Sequence, residues 1–238
     1  MTSLNRDFNV KRVERYLVLA RQSGAVPVVI LTKADLVEDA ALSVSQVQAV
    51  SVGVDVISVS IVSGMGIDLL NAYLTPGKTA VFLGMSGVGK SSLLNAMIGR
   101  DAMATGSIRE DDSRGRHTTT HRELFMLPSG AMIIDTPGMR TLGMWEAGDG
   151  LGEAFSDIEA LLGICRFSDC MHETEPGCAI RAAIESGEIS EARLQSYLSL
   201  QRESAYAESK AALLREKSEK FKSINKWHRQ NNSKRGNK

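Results

Sequence analysis

Cysteine is scarce in this chain of 238 residues: there are three, an odd number, all between positions 165 and 178. That suits a metal site in a reducing compartment better than a disulfide framework, with the cytoplasm as the expected location. Long apolar runs are also missing, so no segment approaches the length that spans a bilayer, and no membrane partner is expected. The N-terminus sets Arg6, Asp7, Lys11, Arg12 and Glu14 among apolar residues, unlike a signal peptide. Charge of one sign is absent overall, with 28 basic against 28 acidic residues. The balance hides a local excess: beyond Arg215 come Lys217, Lys220, Lys222, Lys226, Arg229, Lys234, Arg235 and Lys238, against only Glu216 and Glu219. No internal repeat is visible. The length admits one good-sized domain and a small one.

Periodicity divides the chain into alternating elements. Val10, Val13, Leu17 and Ala20 predict a helix over Phe8–Ser23, stopped by Gly24. The apolar run from Val26 to Leu31 reads as a buried parallel strand, and Asp55–Ser60 as a second. A short helix is expected over Ile67–Leu74, then a strand over Thr79–Leu83 and a helix over Ser92–Ile98. Glu123–Leu127 and Ala131–Ile134 flank Pro128-Ser129-Gly130 as a hairpin. Helical spacing returns over Phe155–Leu162 and from Leu194 to about Lys220. The expected architecture is an α/β domain over residues 1–152 and a small helical domain over 153–238.

The chemistry is concentrated in three motifs. Gly84-Met85-Ser86-Gly87-Val88-Gly89-Lys90-Ser91 fits the phosphate-binding pattern G-x-x-x-x-G-K-[ST]. Its glycines let successive backbone N–H groups point into one concavity, and the following helix adds its positive end. Lys90 then reaches the β- and γ-phosphates, and Ser91 ligates Mg²⁺. Asp135-Thr136-Pro137-Gly138 follows an apolar strand, as a D-x-x-G should, giving Asp135 to the Mg²⁺ side and the Gly138 N–H to the γ-phosphate. On these two motifs alone an ATPase, a kinase and a GTPase are all admitted.

Thr32-Lys33-Ala34-Asp35 narrows the choice, because a carboxylate accepts from both N1–H and the exocyclic amine of guanine, a donor pair adenine lacks. Alone, the tetrapeptide reads equally as a turn whose Asp caps a helix. Beside the phosphate loop and the Ser63-Gly64-Met65 turn, it favours guanine. The nucleotide contacts are then Thr32, Lys33, Ala34 and Asp35, with Gly84, Met85, Ser86, Gly87, Val88, Gly89, Lys90, Ser91 and Ser92. This guanine motif precedes the phosphate loop, the reverse of the usual order, as in a circularly permuted GTPase. The Asp135 loop consequently runs straight into the C-terminal segment, which is expected to read the nucleotide state.

Arg114–His121 lies where a first switch belongs, and one of Thr118, Thr119 and Thr120 completes the Mg²⁺ shell. After Gly138, the second-switch glycine, stands Met139, which cannot orient a water by hydrogen bonding. Lys90 and His117 are the candidate catalytic groups, and His117 also reads as an ordinary surface histidine. Intrinsic hydrolysis is therefore expected to be slow.

Cys165-x₄-Cys170-x-His172-x₅-Cys178 offers three thiolates and an imidazole, a complete tetrahedral set for one structural Zn²⁺. The bland alternative is buried free thiols. The helix around Arg193–Lys210 and the basic tail beyond it, with Phe221 and Trp227 interleaved, suit RNA phosphate contacts and base stacking, or are simply a solvated helix and a disordered end.

Together these residues resemble the ribosome small-subunit-dependent GTPase A family (RsgA, also called YjeQ). The likeness rests on S-L-N-R-D-F-N at Ser3–Asn9, L-T-K-A-D-L at Leu31–Leu36 and G-x-S-G-V-G-K-S-S-L-L-N at Gly84–Asn95. G-R-H-T-T-T-H at Gly115–His121, D-T-P-G-M-R at Asp135–Arg140 and the Cys165–Cys178 cluster extend it. The resemblance implies a circularly permuted P-loop GTPase with a small helical zinc-binding C-terminal domain. It implies a protein that binds the immature small ribosomal subunit and its rRNA, assists late maturation, and hydrolyses GTP when the subunit stimulates it; a monomer is expected. The family also carries an N-terminal OB-fold and an apolar strand before the S-L-N segment. Both are missing ahead of Met1, so an N-terminally truncated chain is expected. The alternative is a GTP- and RNA-binding module without stimulated hydrolysis.

Overall fold

The computed structural model describes residues 1–5, 8–99, 123–135 and 148–235, the side chains of 215, 216 and 221–235 excepted. The elements run β1 (Thr2–Ser3), α1 (Val10–Gln22), β2 (Val28–Thr32), a single 3₁₀ turn (Ala34–Leu36), α2 (Ala41–Gln48), β3 (Asp55–Val59), α3 (Ile67–Asn71), β4 (Thr79–Phe82) and α4 (Lys90–Ile98). They continue as β5 (Glu123–Met126), β6 (Met132–Asp135), α5 (Gly148–Ala154), α6 (Ser156–Glu159), α7 (Ala179–Glu185) and α8 (Glu191–Arg235).

β1, β2 and β3 pair in parallel in that order, with Leu31 opposite Thr2 and Ser58. A second ladder has the order β4-β6-β5, with β4 parallel and β5 antiparallel to β6. β1 lies beside β2, and its neighbourhood links the ladders. Met1 N donates to the Leu83 carbonyl at 2.6 Å, and Leu4 N to the Thr32 carbonyl at 2.8 Å.

The apolar run of β2 has the physical reason expected of it: both faces are buried. Val29 and Leu31 join Val13 and Leu17 of α1 and Val47 of α2 on one side. Ile30 joins Leu70 of α3 and Leu93 and Leu94 of α4 on the other. Helices thus cover both faces of the sheet. The strand begins at Val28 rather than Val26 because Pro27 has no N–H to give a ladder, and it continues to Thr32. α1 begins at Val10 because the Asn9 side chain caps it, accepting from Arg12 N at 3.3 Å.

The helix expected over Phe155–Leu162 is shorter, confined to α6 at Ser156–Glu159. Phe155 leaves helical geometry (φ −118°, ψ 37°), separating α5 from α6. Its buried ring meets Tyr197 edge-on at 5.5 Å and carries the Arg193 guanidinium 4.4 Å from its centroid. α8 is longer than expected at both ends. Its 45 residues reach about 67 Å at 1.5 Å per residue. Its last buried residue among those described is Ser204, and most of the described side chains from 205 to 220 are exposed.

The expected division between residues 152 and 153 falls inside α5. That helix packs on α1 so closely that a Cβ at Gly150 would collide with the Val18 carbonyl and the Gln22 backbone. Gly150 N in turn donates to Gln22 Oε1 at 2.9 Å. Among the described residues, no helix is long and apolar enough to cross a membrane.

Candidate functional site: a nucleotide cradle and a metal cluster

β4 delivers the phosphate loop and α4 receives it. Gly87 and Gly89 take positive φ, 79° and 97°, a backbone that L side chains rarely adopt, and Gly89 is the N-cap of α4. Lys90, 8% exposed, folds back over the loop, donating from Nζ to the Gly84 and Met85 carbonyls at 2.9 Å each. Burial lowers its pKa, and the Asp135 carboxylate pulls it back up. Asp135, 2% exposed, ends β6 directly opposite Phe82, the last residue of β4, so the chain segments that lead into the phosphate loop and the D-x-x-G motif leave the sheet side by side. Ser91 and Ser92 lie half-buried in the first turn of α4.

The guanine motif lies at the C-terminal end of β2, where open α/β sheets bind ligands. The Thr32 hydroxyl donates to the Val88 carbonyl at 2.7 Å, fastening this motif to the phosphate loop. Lys33 takes a left-handed backbone, φ 59°, and Ala34 is buried below it. Asp35 is exposed, and its Oδ1 accepts from the Ser60 hydroxyl at 2.7 Å. Ser60 itself is buried and bound to the following turn: Ser63 N donates to its Oγ at 3.3 Å, and its own N donates to the Met65 carbonyl at 3.0 Å. Ser60 was not singled out from sequence, although its place at the end of β3 was a signal.

His117, Thr118, Thr119, Thr120, Gly138 and Met139 lie outside the described residues.

Cys165, Cys170, His172 and Cys178 converge, with their ligand atoms all within 4.8 Å of one another. Cys165 Sγ lies 3.6 Å from His172 Nδ1 and 3.9 Å from Cys178 Sγ, and His172 Nδ1 lies 3.4 Å from Cys178 Sγ. A tetrahedral ion with sulfur at about 2.3 Å and nitrogen at about 2.0 Å separates its ligands by roughly 3.5–3.8 Å, so the cluster fits such an ion. Burial and the Cys178 and Cys165 thiols push the Cys170 thiol up to about 11, a repulsion that a bound cation relieves.

The ligand loop is built locally. Glu175 gathers three backbone donors, Met171 N to Oε1 at 2.8 Å and Glu173 N and Thr174 N to Oε2 at 2.9 and 3.0 Å. Those backbone donors hold its carboxyl below the ordinary value. Cys178 caps α7, its sulfur accepting from Arg181 N at 3.4 Å. His172 has φ 63°, so the two non-glycine residues with positive φ among those described, Lys33 and His172, both belong to the candidate sites.

A third polar group joins the two halves. Arg193 of α8, 4% exposed, donates Nε and Nη2 to Asp157 at 2.6 and 2.7 Å, and Nη1 to Glu14 of α1 at 2.9 Å. It also donates to the Val50 and Ala154 carbonyls at 3.2 and 2.9 Å. Burial raises the Glu14 pKa in spite of this cation and a hydrogen bond from Ser196. Nothing in the local pattern around Arg193 marked it.

Comparison with known proteins agrees with this geometry. The family profile described as RsgA GTPase matches residues 1–145. The small ribosomal subunit biogenesis GTPase RsgA 2 of Lactiplantibacillus plantarum is 56% identical over 204 residues, 86% of this chain and 57% of its own length. The protein of the same name from Listeria monocytogenes is 50% identical over 226 residues, 94% of this chain and 65% of its own. The chain thus spans between 57% and 65% of these two relatives. The crystal structure of YjeQ from Thermotoga maritima superposes with a TM-score of 0.61 at 30% identity, covering 84% of this chain and 67% of that one. That of YloQ, described as a circularly permuted GTPase, gives 0.57 at 30% identity, covering 87% and 66%.

Proposed function

Because this chain belongs to the RsgA GTPase family, we propose that it binds GTP with Mg²⁺, hydrolyses it to GDP and phosphate, and serves maturation of the small ribosomal subunit. The observation that carries the nucleotide part is the Thr32–Val88 hydrogen bond of 2.7 Å, which sets the guanine motif and the phosphate loop in one frame. Within it, Lys33, Ala34 and Asp35 take the base, and Gly84–Ser92 take the phosphates. Ser91 and Asp135 hold Mg²⁺, whose chemistry is to neutralise charge between the β- and γ-phosphates.

Lys90 is already aimed at the cradle, and its two bonds to loop carbonyls are exchanged for phosphate oxygens when nucleotide binds. We assign completion of the Mg²⁺ shell to one of Thr118, Thr119 and Thr120, the γ-phosphate contact to the Gly138 N–H, and water orientation to His117. The tetrahedral fit of Cys165, Cys170, His172 and Cys178 supports one structural zinc with no open position. The rRNA of the subunit is the expected partner of the basic end of α8, and a cytoplasmic monomer the expected form.

A competition experiment tests the base assignment. Fluorescent GDP should be displaced by GTP and not by ATP, and Asp35→Asn should lose this preference. Displacement by ATP as readily as by GTP contradicts the reading. A second reading is a GTP- and RNA-binding module without stimulated turnover. Hydrolysis measured with and without small subunits separates the two.

A further inference from the structure

We propose that the metal cluster and the guanine site are thermodynamically linked through α1, with Arg193 as the positioning residue that holds the link. This rests on the nucleotide and metal assignments above and extends them.

α1 is a single helix of 13 residues shared by two cores. On one side, Val13 and Leu17 pack in the cluster that contains Ala34, the buried residue of the guanine motif. On the other, Val18 is fully buried in the cluster that contains Cys178, the buried metal ligand. Leu17 and Val18 are neighbours on one rigid element. Close-packed interiors do not absorb a shift of such an element at one face without transmitting it to the other.

The close approach of α5 at Gly150 seats α1 on one side, and the ionic cluster ties the same helix to three further segments. Arg193 reaches α1 through Glu14, the segment after α2 through the Val50 carbonyl, and the α5–α6 junction through Ala154 and Asp157. A planar guanidinium with donors aimed at four groups has one arrangement that satisfies all of them. Arg15 adds a bidentate contact to Glu203 on the outer face, at 2.7 Å. A ligand that orders the cluster therefore fixes α1 against Ala34. A nucleotide that orders Lys33–Asp35 fixes the same helix against Cys178. Each ligand leaves less ordering for the other, and linkage makes the effect reciprocal.

The test is a pair of titrations on the full chain. Zinc affinity is measured by chelator competition with and without saturating GDP, with ATP as control, and GDP affinity is measured on metal-loaded and metal-free chain. GDP should tighten zinc binding by roughly fivefold or more, and zinc should tighten GDP by the same factor. In Glu14→Gln/Arg193→Met, which removes both charges of the Arg193–Glu14 pair, both ligands should still bind with the ratio near one. Arg193→Lys keeps the charge but not the fork, and should lower the ratio without unfolding the chain. Equal zinc affinity with and without GDP overturns the linkage, and a full ratio in both variants removes Arg193 from it. A chain that binds one ligand and never the other refutes the site assignments themselves.

Discussion

The Thr32 hydroxyl and the Val88 carbonyl, 56 residues apart in sequence, meet at 2.7 Å in a buried contact that closes the nucleotide cradle. Replacing Thr32 by Val keeps the shape and orphans that carbonyl, at a cost of about 1–3 kcal/mol. Thr32→Val should therefore lower the thermal midpoint and weaken GDP binding together. Unchanged affinity in a folded variant would assign the bond to stability alone.

Asp35 and Ser60 form the second half of that cradle. Asp35→Asn loses the paired acceptor for the base, a loss on the order of 2–5 kcal/mol in nucleotide affinity. Ser60→Ala leaves the carboxylate in place but unfastened, and should cost about 1 kcal/mol in the same assay. Isothermal titration with GDP ranks the two. A larger loss in Ser60→Ala than in Asp35→Asn would contradict the division of labour.

Sequence pattern went furthest where chemistry is local. The phosphate loop, the Thr32–Asp35 motif and the Cys165–Cys178 cluster each lie within a short window, and spacing alone exposes them. β2 was legible because a run buried on both faces must be apolar throughout. α2 was not, since only Val47 of its eight residues is buried and its N-cap residue, Ala40, has no side chain that can cap. α5 was hidden by Gly148, Gly150 and Gly152, of which Gly150 is required by the approach of α1 rather than by helix propensity. The Arg193–Glu14 pair spans 179 positions, and only the folded chain brings its two members together.

That pair makes an asymmetric prediction. Arg193→Met alone leaves Glu14 buried without its cation and should destabilise by about 3–5 kcal/mol. Glu14→Gln should stay within about 1 kcal/mol of the parent at neutral pH, because burial already makes the ionised form costly there. The raised Glu14 pKa sets the sign of the pH effect. Below its ordinary value of 4.5 its contribution to stability is fully present, and it is lost as pH rises through the folded pKa. Denaturant titrations across that window should show Glu14→Gln gaining stability relative to the parent as pH rises. Divergence in the opposite direction contradicts the burial argument.

The metal cluster should bind about one zinc per chain, and its removal should unfold the region around α7, since metal binding contributes folding free energy there. Elemental analysis reads the first and amide exchange the second. A folded, reduced sample without zinc, with α7 still protected, removes the site.

GTP hydrolysis by the purified chain, measured with and without small ribosomal subunits, tests the central claim most directly. Slow turnover of GTP, acceleration by the subunit, and loss of both in Lys90→Ala are the expected results, since Lys90 neutralises the β- and γ-phosphates. His117→Ala should lose most of the acceleration while GTP affinity stays near the parent's, as for a group acting in the transition state. Turnover that survives in Lys90→Ala after purification from other GTPases, or equal hydrolysis of ATP, would contradict the assignment of this chain as a GTPase.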